Sequence, residues 1–107
     1  METPEIDVAE LARRWEAGAT VVDVRRPDEY ETGHVPGAKL VTLEDVPSRQ
    51  EEISAEDEVL VICKTGGRSR QATEYLRQQG VHAVNVAGGT LAWIEAGHPV
   101  VTGDQPN

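Results

Sequence analysis

The sequence predicts an α/β domain with three layers, a central parallel sheet of about five strands flanked by helices. Three observations lead there. Short runs rich in Val, Ile and Thr alternate along the chain with segments of helical periodicity, the pattern of strands joined by crossover helices. The clearest runs, TVVDV at 20–24 and EVLVI at 58–62, read as buried strands. At 107 residues, with 38% apolar residues, or about 47% once glycine is counted, the chain suits one small domain around one core.

Each element has its own signal. Asp7 followed by Glu10 reads as a capping box, and Val8, Leu11, Ala12 and Trp15 then share one helix face, closed by Gly18. Thr20–Val24 is the next strand. Pro27 to Glu31 predicts a single helical turn, with Pro at its start and Gly33 past its end. Gly33–Gly37 is a turn, Ala38–Val41 a short strand, and 43–52 helical turns and loop. Strand 58–62 runs into a loop at 63–68. A helix follows from about Arg68 to Gln79, with Ser69, Ala72, Thr73 and Leu76 facing inward and Gly80 as its stop. His82–Val86 is a strand, and 89–96 a last helix carrying Leu91, Trp93 and Ile94. The expected domain covers residues 1–101, with a loose tail over 102–107. No repeat, linker or low-complexity segment interrupts it.

A formal net charge of −9 argues against nucleic acid and anionic membrane surfaces, which need a basic footprint. The acidity is uneven. No Asp or Glu lies between Val59 and Thr73, where Lys64, Arg68 and Arg70 stand. The single cysteine excludes an internal disulfide. METPEIDVAE has no apolar core of a signal peptide, and the longest uncharged run, 78–94, holds Gln, Asn, His and Gly. A cytoplasmic protein with a reduced thiol is expected.

That thiol, Cys63, ends the strand in VLVICKTGGRSRQA, residues 59–72. In open α/β sheets, ligands bind outside the carboxyl ends of the strands. Four influences favour an anion there: the N–H groups at the start of the following helix, Gly66 and Gly67 letting the loop turn its N–H groups inward, and the charges of Lys64 and Arg68. Each stabilises thiolate over thiol, so the Cys63 pKa is expected below the usual value of about 8.5, and Cys63 is expected to be nucleophilic. The competing reading is a structural cysteine in a buried strand.

Asp23 and Arg25 end the strand at 20–24, on the expected active-site side of the sheet, and are expected to form a salt bridge bracing the neighbouring loops. His34, in Gly-His-Val-Pro-Gly, is expected to pack and hydrogen-bond rather than act as a base. His82 and His98 have no metal-ligand spacing. Trp15 and Trp93 fit core faces of helices. Glu51, Glu52 and the run Glu56-Asp57-Glu58 read as solvated loop faces.

VLVICKTGGRS resembles the active-site loop of the rhodanese-like sulfurtransferases. VVDVRRPDEYETGHVPGA, residues 21–38, is similar to that family's DVR…E-aromatic-xx-GH-x-x-GA segment, and VAGGTLAW, residues 86–93, to its late GG-xx-x-W signature. The three motifs stand in family order over nearly the whole chain. The resemblance implies the rhodanese-like fold and transfer of a sulfane sulfur, from thiosulfate or a similar anionic donor to cyanide or a thiol, through a persulfide on Cys63. It implies Cys63 as nucleophile, a cradle of Lys64, Thr65, Gly66, Gly67, Arg68 and Ser69, and Asp23 and Arg25 in support. Arg68 is the expected anchor for the sulfonate end of thiosulfate. No metal or organic cofactor is implied. The partners expected are small molecules, with a sulfur-relay protein as a further one. An alternative with the same motif is a persulfide carrier fed by a partner protein. Related phosphatases and arsenate reductases space Cys and Arg by five residues; here Lys64, Thr65, Gly66 and Gly67 alone separate Cys63 from Arg68, and the tighter ring suits one sulfur atom.

Overall fold

The computed structural model describes residues 3–53 and 57–107. Glu56, one of the acidic residues above, lies outside them. A five-stranded sheet, parallel throughout, has the order β1-β5-β4-β2-β3. Its strands are β1 (Glu5–Ile6), β2 (Thr20–Asp23), β3 (Lys39–Leu40), β4 (Val59–Ile62) and β5 (Ala83–Val86). The helices are α1 (Val8–Glu16), α2 (Pro27–Thr32), α3 (Gln50–Ile53), α4 (Gly67–Gln78) and α5 (Gly89–Glu95), with a short 3-10 turn at Leu43–Asp45. Among the described residues no helix is long and apolar enough to cross a membrane.

The alternation of side chains along β4 makes the layers. Val59 and Val61 join Ala72 and Leu76 of α4 in one core. Leu60 and Ile62 join Leu11 of α1 and Trp93 of α5 in the other. All four β4 residues are fully buried, which only a strand covered on both faces can be. Trp15 meets Trp93 edge to face, with ring centroids 5.6 Å apart, and this ties α1 to α5.

Local signals fixed the element ends. The Asp7 carboxylate accepts the Glu10 N–H at 2.9 Å and starts α1. Pro27 is the first residue of α2, and Gly33, at its end, follows in an extended-to-left-handed conformation that favours glycine. Ser69, Ala72, Thr73 and Leu76 are the buried residues of α4, as their spacing predicts. In α5 only Trp93 of the three apolar residues points inward; Leu91 and Ile94 are 44% and 48% exposed. β1 was not anticipated. Its two residues pair with Asn85 and Val86, and a pair that short carries no periodicity to detect.

His34 is buried, stacked on Tyr30 with centroids 3.6 Å apart, and both ring nitrogens face carbonyl oxygens, Tyr30 O at 2.8 Å and Gln105 O at 2.9 Å. It therefore packs and bonds. Residues 102–107 are exposed, while Gly103 N–H donates to Glu31 O at 2.9 Å and Pro106 O accepts from Gly37 N–H at 2.8 Å. The Tyr30 hydroxyl donates to Ala38 O. Burial, with the Asp23 charge second and Arg25 opposing, pushes the Tyr30 phenol up to about 12.

Candidate active site

Cys63 follows the last residue of β4, at the carboxyl edge of the sheet. β4 pairs with β2 on one side and β5 on the other, so the ends of three strands meet there. The loop from Cys63 curls over the start of α4. Gly66 occupies the left-handed region at φ 115°, and it caps α4. Gly67 is the helix's first residue and is not among the positive-φ glycines. The turn thus needs glycine's freedom at Gly66 rather than at both positions.

This turn aims the Gly66 N–H at Cys63 Sγ, 3.1 Å away. The Ser69 hydroxyl, one turn into α4, lies 3.3 Å from the same sulfur. Burial pushes the Cys63 thiol up. The Ser69 hydroxyl and the backbone N–H groups of Ser69, Gly66 and Thr65 push it down, and the net direction is downward. Hydrogen bonds, rather than the flanking cations, lead that lowering. Cys63 is only 1% exposed, while Lys64, Thr65 and Gly67 around it are exposed and Arg68 is half-buried. The thiol is therefore recessed under a polar rim.

The carbonyls of Cys63 and Lys64 point the other way, into α5. Thr90 N–H and its hydroxyl both donate to Cys63 O, at 2.8 and 3.0 Å, and Leu91 N–H donates to Lys64 O at 3.1 Å. Unpaired N–H groups at the start of α5 thus satisfy the carbonyls of the loop. That contact explains the second glycine of the pair in VAGGTLAW. A Cβ on Gly89 would sit 2.4 Å from Lys64 O and 2.6 Å from Cys63 O. Glycine there lets α5 touch the cysteine loop backbone to backbone.

Arg25 and Asp23 form a buried pair, with Nη2 to Oδ2 at 2.8 Å. Arg25 Nη2 also donates to Gly33 O at 2.9 Å and Nη1 to Glu29 O at 3.3 Å. The pair holds both ends of α2 against the sheet edge, the bracing role expected of it, and neither side chain bonds Cys63.

Two site residues escaped the sequence reading. Glu29 takes Arg68 in a two-pronged ion pair, Oε1 to Nη1 at 2.6 Å and Oε2 to Nη2 at 2.8 Å. The Arg68 guanidinium beside it, against a smaller effect of burial, draws the Glu29 carboxyl down to about 2. Glu29 stands inside the PDEYETGH segment, but nothing in the sequence points it across 39 residues. Asn85 is buried in β5 and accepts from the Ser69 hydroxyl at 2.5 Å. A lone amide in the apolar run AVNV was its only signal. No group of three or more His, Cys, Asp or Glu among the described residues could hold a metal ion.

Comparison with known proteins gives the same picture. The rhodanese-like domain family matches residues 7–96. A protein of Allochromatium vinosum named a sulfurtransferase is 39% identical over 100 residues, covering 91% of this chain and 94% of its own. A Bacillus subtilis chain with a sulfur-carrier name is 33% identical over 93 residues, 84% of this chain and 50% of its own. The crystal structure of a rhodanese-related protein from Thermoplasma volcanium superposes with a TM-score of 0.88 at 34% identity, covering 94% of this chain and 99% of that one. This chain, with its cysteine at the sheet's carboxyl edge, belongs to the rhodanese-like domain family.

Proposed function

We propose that this protein is a sulfurtransferase that carries a sulfane sulfur as a persulfide on Cys63, with thiosulfate or a similar anionic persulfide as donor. The observation that carries the reading is the convergence of the Gly66 N–H and the Ser69 hydroxyl on Sγ, with the thiol drawn downward. A thiolate so held is the reactive form of cysteine.

In the first step the Cys63 thiolate attacks the sulfane sulfur of thiosulfate. A new S–S bond forms, the sulfur–sulfonate bond breaks, and its electron pair leaves with sulfite. The N–H groups of the loop receive the outer sulfur of the persulfide. In the second step a thiolate or cyanide attacks that outer sulfur, and the electron pair of the broken S–S bond returns to Cys63. No net oxidation of the protein occurs, and ping-pong kinetics follow. Arg68, oriented by Glu29, keeps further N–H donors for the donor's oxyanion, and Lys64 adds a point charge at the rim.

The test is intact mass after thiosulfate treatment. Wild type gains one sulfur, which cyanide removes, and Cys63→Ser gains none. A wild type that stays at its starting mass defeats the reading.

A second reading, a carrier loaded by a partner protein, is favoured by the burial of Cys63 and by the relative with a sulfur-carrier name. Steady-state rates separate the two. Fast thiosulfate-to-cyanide turnover belongs to the enzyme; slow turnover with efficient loading by a persulfide-bearing protein belongs to the carrier.

A further inference from the structure

Asn85 is fully buried in the middle of the sheet edge that carries the site. Its Nδ2 lies 2.8 Å from Glu5 Oε2 and 3.3 Å from Gly66 O. Both neighbours are acceptors, so they fix which way the amide faces. Oδ1 must then be the atom 2.5 Å from the Ser69 hydroxyl. That hydroxyl has one proton and two claimants, Asn85 Oδ1 and Cys63 Sγ at 3.3 Å.

The two claims suit different states of Cys63. With a thiol, S–H donates to Ser69 Oγ and Ser69 donates to Asn85, so all three groups are bonded. With a thiolate, Ser69 turns its proton to Sγ and Asn85 Oδ1 loses its donor in a site without water access, a state that costs free energy. A persulfide places its charge on the outer sulfur, so Ser69 can stay with Asn85. We infer that Asn85 is a positioning residue that holds the Ser69 proton away from Cys63, restraining the empty thiolate while leaving the sulfur-loaded form unhindered. The part concerning the loaded form rests on the persulfide reading above.

Other charges surround Cys63. Lys64 flanks it in the loop, Arg68 approaches from α4 with Glu29 of α2 attached, the Asp23–Arg25 pair closes the end of β2, and Glu5 of β1 stands behind Asn85. All of them remain when Asn85 is replaced, but Glu5 and Gly66 O each lose a donor, so the double variant below separates an effect passed through them from one passed through Ser69.

The experiment follows Cys63 by the pH dependence of iodoacetamide alkylation and by thiolate absorbance. Wild type is compared with Asn85→Leu, which has a similar shape, with Asn85→Ala, with Ser69→Ala, and with Ser69→Ala/Asn85→Leu. Below the thiol's midpoint, Asn85→Leu raises the thiolate fraction about three- to tenfold, and Ser69→Ala lowers it. The double variant matches Ser69→Ala, because without the hydroxyl there is no proton to contest. Asn85→Ala shifts in the same direction and serves if the leucine variant does not fold. The inference is overturned if the Asn85 variants titrate like wild type or lose thiolate, or if the double variant adds the two single effects. Alkylation requires no sulfur donor. Failure to form a persulfide therefore refutes the proposed function without touching this titration, and normal loading beside unshifted Asn85 variants refutes the inference alone.

Discussion

Glu29 and Arg68 meet with both carboxylate oxygens on both terminal guanidinium nitrogens, at 2.6 and 2.8 Å. The pair joins α2 to the first turn of α4, directly above the cysteine loop. Arg25 holds α2 from below through the carbonyls of Glu29 and Gly33. A line of contacts thus runs from the end of β2, through Arg25 and α2, to the one arginine of the loop. Arg68 stands presented by a carboxylate partner rather than as a free cation, and this changes what each partner's removal should do.

Arg68→Ala should raise the KM for thiosulfate about tenfold or more, the scale of a lost charge-assisted oxyanion contact. Alkylation of Cys63 by neutral iodoacetamide should change far less, since hydrogen bonds rather than Arg68 lead the lowering of the thiol. Measuring both on one preparation decides the role. Equal losses would mean that Arg68 serves the thiolate and not the donor.

Glu29→Gln should cost about 1 kcal/mol of stability near pH 7, because the pair is partly exposed, at 35% and 26%, and solvent screens it. The folded-state carboxyl is depressed from 4.5 to about 2, so the contribution is complete above the unfolded value and fades as pH falls from there toward about 2. Urea unfolding of both proteins across that window should show the gap closing on the acid side. A constant gap would assign the loss to packing instead of charge.

Much of this arrangement was readable in the residues, and the missing parts share one physical reason. Periodicity and capping are local, so α1, α4 and the buried strands β2, β4 and β5 follow from neighbours in sequence. The cysteine loop was readable for the same reason, since Cys63, Gly66, Ser69 and the helix start lie within one turn of chain. Glu29 and Asn85 act across 39 and 16 residues, and only the strand order brings them to the loop. β1 was hidden by its length, and its Glu5 completes the bonding of Asn85. The sequence sets the charges of Lys64 and Arg68 beside the loop N–H groups without ranking them, because it shows charges but not the aim of N–H groups.

Arg25→Leu should be among the most damaging single changes outside the loop. It leaves the Asp23 carboxylate, 0% exposed, without its cation. Breaking one side of a buried pair typically costs about 3–5 kcal/mol, and the carbonyls of Glu29 and Gly33 also lose their guanidinium donor. Thermal unfolding should show a shift well beyond that of Glu29→Gln. Arg25→Leu/Asp23→Leu should recover part of the loss, because no unpaired charge then stays buried. A double variant less stable than either single one would contradict the account.

Gly89→Ala tests the close contact between α5 and the cysteine loop. Gly89 has φ +59°, and an added Cβ would meet Lys64 O at 2.4 Å, its carbonyl carbon at 2.5 Å and Cys63 O at 2.6 Å. These are backbone atoms, so relief requires moving the loop or the helix. The cost should be at least about 2 kcal/mol, from the left-handed conformation and the overlap together. Gly97→Ala is the control, since Gly97 has φ +83° with nothing within 4 Å, and it should lose only the conformational part. The decisive readout is Cys63 itself. Moving the loop displaces the Gly66 N–H from Sγ, so Gly89→Ala should slow alkylation at neutral pH severalfold while Gly97→Ala leaves it at the wild-type rate. Equal alkylation in both would show that the loop holds its shape without glycine at 89.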